Sequence, residues 1–267
     1  MTERVLPDPY NPGAWVVRIE GAYQSWVDPE DPTRLEFDYV QRLAAQIDHH
    51  APPGERLRVV HVGGAGMSLA RYVAHVRPTS AQIVLEPDVE LTEEVRAKVP
   101  LPRNSGIKVR PQDGLSGVTA MRDDFADVIV VDAFAGARVP GELVSVDFFA
   151  QARRVLHSDG LLLLNVTDTH PFAWTRRVLA GLGNYFAHVM LAAESATLKG
   201  RRFGNVVMSA SPTPLPIDQL ERTASGAIFP YRLVHSDHLQ RLVGGAQPFH
   251  GEGEWSPGPP SGRHFFE

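Results

Sequence analysis

Residues 58–86 read RVVHVGGAGMSLARYVAHVRPTSAQIVLE, and this stretch decides the fold. Its first five residues form a short, nearly continuous apolar run rich in β-branched side chains, as a strand buried on both faces requires. Residues 67–75 (MSLARYVAH) then carry apolar side chains at helical spacing, and residues 82–86 (QIVLE) return to an apolar run. A strand, a helix and a second strand in so few residues make a parallel βαβ unit. Downstream the alternation continues. A helix is predicted over 89–99, short strands over 108–110 (KVR) and 127–132 (DVIVVD), and a helix over 145–156. A strand over 161–166 (LLLLNV), a helix over 172–182 and strands over 188–192 and 205–210 (NVVMSA) follow. The pattern predicts an α/β core with about seven mostly parallel strands, flanked by helices on both faces.

Upstream the pattern differs. Residues 14–19 (AWVVRI) and 22–27 (AYQSWV) read as strands joined at Glu20-Gly21, a hairpin signal, and residues 35–47 (LEFDYVQRLAAQI) have helical spacing. Ala51-Pro52-Pro53-Gly54 then punctuates the chain. Three units are expected: a β-hairpin and helix unit over 1–52, the α/β domain over 53–212, and a C-terminal extension over 213–267. The extension has room for one or two helices within 216–243 and ends in a Pro- and Gly-rich segment, 252–263 (EGEWSPGPPSGR), expected to be a loose tail.

Composition narrows the function. With 267 residues, 43% of them hydrophobic and 21% charged, the chain can fill one generous core. A net charge of −5 without any Lys/Arg run opposes broad nucleic-acid binding, which needs a basic field. Cysteine is absent, which excludes disulfides and thiolate metal sites and fits a reducing cytoplasm. The longest apolar runs, 128–131 and 161–164, are far too short to span a bilayer, and MTERVLPDPYNPG does not read as a signal peptide. A soluble protein with no membrane partner is expected. His235 and His238 lack a third ligand, so no metal site is expected.

In an open α/β sheet, ligands bind beyond the carboxyl ends of the strands at the switch point. After the first strand come Gly63, Gly64 and Gly66, which let a backbone approach a ligand. Glu86 ends the second strand, placed to accept hydrogen bonds from ribose hydroxyls, with a cap on the next helix as its alternative role. Asp113-Gly114 follows the third strand and Asp132 ends the fourth. Each is weak alone, and the order is what points to a nucleoside site. The loop lacks the last glycine of the dinucleotide fingerprint, and no Gly-Lys-Ser/Thr follows, so a phosphate-free sulfonium nucleoside fits better than NAD or ATP. No Gly-x-Ser-x-Gly elbow marks a serine hydrolase. Tyr39 and Phe37 lie on an amphipathic stretch, where aromatics are more often core than ligand, and Trp26 shares that ambiguity. Arg201-Arg202 reads as a solvated turn, with contact to an acidic substrate as the lesser alternative.

The segments GAYQSWVD, LEFDYVQRL, VVHVGGAGMSLARYV, IVLEPD, PQDG, DVIVVDAFAGARVPGEL and FFAQARRVLHSDGLLLLNV together resemble the spermidine synthase family. These are aminopropyltransferases on a Rossmann-like methyltransferase fold with an N-terminal β-hairpin unit. The resemblance implies that Glu86 binds the ribose and that Asp113 with Gly114 holds the adenine edge. It implies that Asp132 accepts the proton of an attacking amine, and that Gln24 and Tyr39 line the cofactor tail and the amine pocket. It also implies a homodimer through the hairpin unit or the sheet edge. The family's glycine loop usually carries an acid, absent here. A second Asp usually lies three positions after the catalytic one, where this chain has Ala135, and a polar amine ligand usually stands where it has Val40.

The expected activity is aminopropyl transfer from decarboxylated S-adenosylmethionine to a small amine. The alternatives are a methyltransferase using S-adenosylmethionine itself, and a non-catalytic nucleoside-binding homologue.

Overall fold

A computed structural model describes residues 3–251 and 253–259. The N-terminal unit is a three-stranded antiparallel sheet of β1 (Val5–Pro7), β2 (Trp15–Ile19) and β3 (Ala22–Val27), one strand more than the hairpin expected. Val5, Val17 and Val27 pack it against the main domain, on Met67, Ala70 and Val84. Trp26 is core, its indole N–H donating to Asp8 at 2.5 Å.

Eight strands form the main sheet: β4 (Arg58–Val62), β5 (Ala81–Leu85), β6 (Ile107–Arg110), β7 (Ala126–Val131), β8 (Leu156–Asp168), β9 (His188–Glu194), β10 (Gly204–Ser211) and β11 (Tyr231–His235). Their order is β11-β9-β10-β8-β7-β4-β5-β6. Strands β4 to β8 run parallel, and β10 is antiparallel to both β8 and β9. The chain builds outward from β4 to β6, then crosses back to β7. That reversal opens a crevice between β4 and β7 at their carboxyl ends.

Both faces are apolar because alternate residues of each strand point opposite ways. Val60, Val62, Ile129, Val131, Leu162 and Leu164 face one core, closed by α5 (Val146–Val155) and α6 (Ala173–Gly183). Val59, Val128, Val130, Leu161 and Leu163 face the other, closed by α1 (Asp38–His50) and α2 (Ser68–Val76). Helix α1 thus covers the main sheet with Leu43 and Ile47, both fully buried. Helix α3 (Val89–Lys98) follows β5.

Several elements escape the sequence pattern. Helix α4 (Gly114–Thr119) is six residues long, too short to show a period. Strand β11 lies between α8 (Ile217–Gly226) and α9 (Ser236–Val243) at the sheet's edge, where only Tyr231 of YRLVH is buried. The α7 turn (Ser195–Leu198) sits between β9 and β10.

The loose tail is corrected for its described part, 253–259. Ser256 is fully buried, and its N–H and Oγ bond the backbone of Val139 at 3.0 and 2.8 Å. Gly141 donates to the Glu254 carbonyl at 2.7 Å. A Pro- and Gly-rich segment has no period to read, yet it can satisfy its backbone against a neighbouring loop. Glu252 and residues 260–267 lie outside the described residues. No helix among the described residues is long and apolar enough to cross a membrane.

Candidate active site

The crevice is a cavity of about 360 Å³, within the roughly 300–1,000 Å³ usual for small-ligand sites. Gly63, Gly64, Glu86, Asp113, Gly114, Asp132, Gln24 and Tyr39 all line it. Gly66 lies in the same loop, turned away. A Cβ there would press on Ser25 and Val27, and its N–H donates to Ser25 Oγ at 3.1 Å, so the loop is seated on β3.

Gly63 has φ +90, and a Cβ would overlap the backbone carbonyl of Asp132. Only glycine lets the β4 tip run this close to the β7 tip. Glu86 props the loop from beneath: Oε2 accepts from the N–H groups of Gly64 and Ala65 at 3.0 and 3.2 Å, and Oε1 from Asp88 at 3.0 Å. A carboxylate has about four lone-pair sites, so capacity for hydroxyl donors remains. Asp88, rather than Glu86, caps α3 through Leu91 at 2.8 Å. Asp113 is exposed and caps α4, accepting from Ser116 at 2.8 Å, so its capping role is real although it also borders the cavity. Gly114 is buried where a Cβ would overlap Val62. Gln24 donates to the Gly136 carbonyl at 3.4 Å, tying the small sheet to the loop after β7.

Asp132 is the electrostatic centre. Its Oδ1 accepts from Asn165 Nδ2 at 2.9 Å, and the Tyr39 hydroxyl also donates to it. Burial raises its pKa from 3.8 to about 6, against the lowering pull of those two donors. Burial, reinforced by the Asp132 charge, pushes the Tyr39 phenol well above its ordinary value, so Tyr39 stays a donor. Phe37 stacks on Tyr39 with ring centroids 5.9 Å apart.

Two residues that the strand-tip reading misses complete this cluster. Asn165 is 1% exposed and accepts from Asn205 Nδ2 at 3.0 Å, so the two amides form a directed chain ending on Asp132. The signal for Asn165 is a lone amide inside the apolar run LLLLNV. Asn205 is near the start of β10, and because that strand is reversed, its beginning lies beside the end of β8.

Charge around the cavity is one-sided. Glu86, Asp88, Asp113, Asp132 and Glu142 line it, and among its described lining residues there is no Lys or Arg. Asp88 is paired to Arg4 at 2.5 Å, and Arg4 also meets Glu94 at 3.6 Å. Such a wall favours a cation and opposes phosphates or a free carboxylate. No group of three or more His, Asp or Glu side chains placed to hold a metal is found among the described residues.

No model of a known protein family matches the chain. Among curated proteins it is 25% identical over 225 residues to a polyamine aminopropyltransferase of Chromobacterium violaceum, covering 82% of this chain and 81% of that protein. It is 24% identical over 248 residues to that of Neisseria meningitidis serogroup B, covering 91% and 85%. Among solved structures, a probable spermidine synthase from Corynebacterium glutamicum superposes with a TM-score of 0.85 and 30% identity, over 94% of this chain and 93% of that one. A spermidine synthase from Thermotoga maritima, 18% identical with a TM-score of 0.61 over 92% and 80%, shares the fold.

Proposed function

We propose, from the premise that the chain belongs to the spermidine synthase family, that it transfers the aminopropyl group of decarboxylated S-adenosylmethionine to an amine acceptor. The observation that carries this reading is the acidic cavity, whose described lining residues include no Lys or Arg. A sulfonium nucleoside with an ammonium tail is a dication and suits that wall, whereas the carboxylate of S-adenosylmethionine would face like charge there. The methyltransferase reading thus gains no support.

In this reading Glu86 receives the ribose hydroxyls, and Asp113 with Gly114 borders the base. Gln24 and Tyr39 flank the transferred chain. Asp132 is the proton acceptor. The acceptor nitrogen forms a bond to the carbon beside the sulfonium, the C–S bond breaks, and its electron pair neutralises sulfur as methylthioadenosine leaves. The proton released from nitrogen passes to Asp132.

A free ammonium has a pKa of roughly 10 and an ordinary aspartate one of about 4, a gap of six units. The shift of Asp132 to about 6 narrows it by some two units, near 3 kcal/mol of proton-transfer driving force at about 1.4 kcal/mol per unit. Asp132 still ionises below neutral pH, so it is a competent base under ordinary conditions. The remaining acceleration comes from holding the reactants in line.

Calorimetry and turnover test this together. Decarboxylated S-adenosylmethionine and methylthioadenosine are expected to bind more tightly than S-adenosylmethionine, and Glu86→Gln to weaken all three by about tenfold or more. Tighter binding of the carboxylate-bearing form would overturn the donor assignment.

The pH profile gives a second test. The acidic limb of kcat/KM is expected at about 6, where Asp132 ionises. Asn165→Leu removes a donor that favours the charged form, so the limb is expected to move to higher pH. A limb that stays in place would detach Asn165 from the titrating group.

A further inference from the structure

A second, smaller cavity of about 40 Å³ adjoins the first, and both share Gln24, Tyr39, Phe134 and Gly136. Asn165, which touches Asp132, lines its floor. The acceptor nitrogen must reach Asp132, so this is where the rest of the acceptor goes once the larger cavity holds the nucleoside. Its character is the reverse of its neighbour's. Among its described lining residues there is no carboxylate and one cation, Arg202.

The polar groups here are mixed: Arg202 only donates, while the Thr167 hydroxyl and the amide oxygens of Gln24 and Asn205 can accept. The Thr167 side chain is 4% exposed and its hydroxyl has no partner, a group that a ligand would satisfy. Arg202 offers only N–H donors, and one of its nitrogens rests 3.1 Å from Glu194. That carboxylate also meets Arg42 at 3.5 Å, and Arg42 is paired more closely to Asp38. Tyr23 and Phe203 supply apolar wall.

A diamine bound with one nitrogen at Asp132 would place its second ammonium here. It would lose hydration without gaining a carboxylate among the described lining residues and would face Arg202, whose side chain is half exposed. We propose that this cavity is the acceptor seat and that it selects a small primary amine whose far end is an uncharged or anionic hydrogen-bond acceptor, with Arg202 discriminating against diamines and Thr167 free to bond either kind of far end. The proposal rests on the aminopropyl-transfer reading, and its covalent step is the one already written.

The test uses the full chain with decarboxylated S-adenosylmethionine and three four-carbon amines: 4-aminobutan-1-ol, 4-aminobutyrate and putrescine. Release of methylthioadenosine gives kcat/KM for each. The better of the first two is expected to exceed putrescine by at least about tenfold, equivalent to roughly 1.4 kcal/mol. Arg202→Gln is expected to shrink that ratio by about threefold or more, the scale of one partly exposed charge. The ratio is taken within one protein, so altered stability of the variant cancels. Putrescine equal to or better than both competitors would overturn the acceptor assignment and leave aminopropyl transfer standing. An unchanged ratio in Arg202→Gln would overturn the role of Arg202. Release with none of the three amines would overturn the aminopropyl reading and this inference with it.

Discussion

Asp132→Asn is expected to lower kcat by about 10²–10⁴-fold, the usual worth of a positioned general base, while leaving methylthioadenosine affinity nearly unchanged. The substitution keeps an oxygen to accept from Asn165 and removes the ability to take a proton. It should also stabilise the protein at alkaline pH. The carboxyl has a pKa of about 6 in the fold against 3.8 for the ordinary group, so the native state holds this proton more tightly than the unfolded chain. Stability from that group is complete below pH 3.8 and is lost as pH rises through about 6. At pH 8 the buried charge costs up to about 3 kcal/mol. Asparagine removes this cost, so the melting temperature should rise by roughly 5–10 °C at pH 8 and change little at pH 4. Thermal unfolding at the two pH values, beside steady-state turnover, checks both halves. Turnover within tenfold of the parent would remove Asp132 as the base, and equal shifts at both pH values would mean that its charge is not desolvated.

Gly63→Ala should be the most damaging single-methyl change at the site. At φ +90 an alanine is strained, and its Cβ would overlap the Asp132 carbonyl. Backbone atoms on both sides must then separate, at a cost of about 2–4 kcal/mol. The movement pulls the glycine loop from the β7 tip, so methylthioadenosine affinity should fall by more than tenfold even where the variant is folded. Gly106→Ala is the matched control. Gly106 has φ +74, and its Cβ would overlap the Ser80 carbonyl at the opposite end of the sheet. Both variants should melt at lower temperature, and only Gly63→Ala should lose the nucleoside. Equal affinities in the two variants would mean that the loop does not shape the seat.

The strand-tip half of this cavity was legible because its information is local. Apolar runs locate β4, β5 and β7, and a ligand site at the strand tips follows from topology alone, so Gly63, Glu86 and Asp132 could be picked out by position. The placement of Asp113 was readable too, although its visible work is to cap α4. The other half was hidden for physical reasons. Asn205 enters from the beginning of a reversed strand, and nothing in NVVMSA announces its direction. Arg202 reads as a solvated turn residue and its side chain is half exposed, but nothing local shows that the turn also borders the second cavity. Ser256 lies in a segment whose composition signals only the lack of a regular element, and its burial depends on a partner loop more than a hundred residues away.

The two halves also hang on different architecture. Parallel strands carry the proposed nucleoside site, and each is joined to the next through a helix packed into the core, so a change in one connection disturbs the whole layer. Strands β8, β10 and β9 carry the proposed acceptor seat, and residues 199–202, which include Arg202, are the exposed part of the link between β9 and β10. Such a link can be exchanged without moving any strand. Descendants of one ancestor could therefore keep a common donor and diverge in what they modify, by rewriting a four-residue exposed turn.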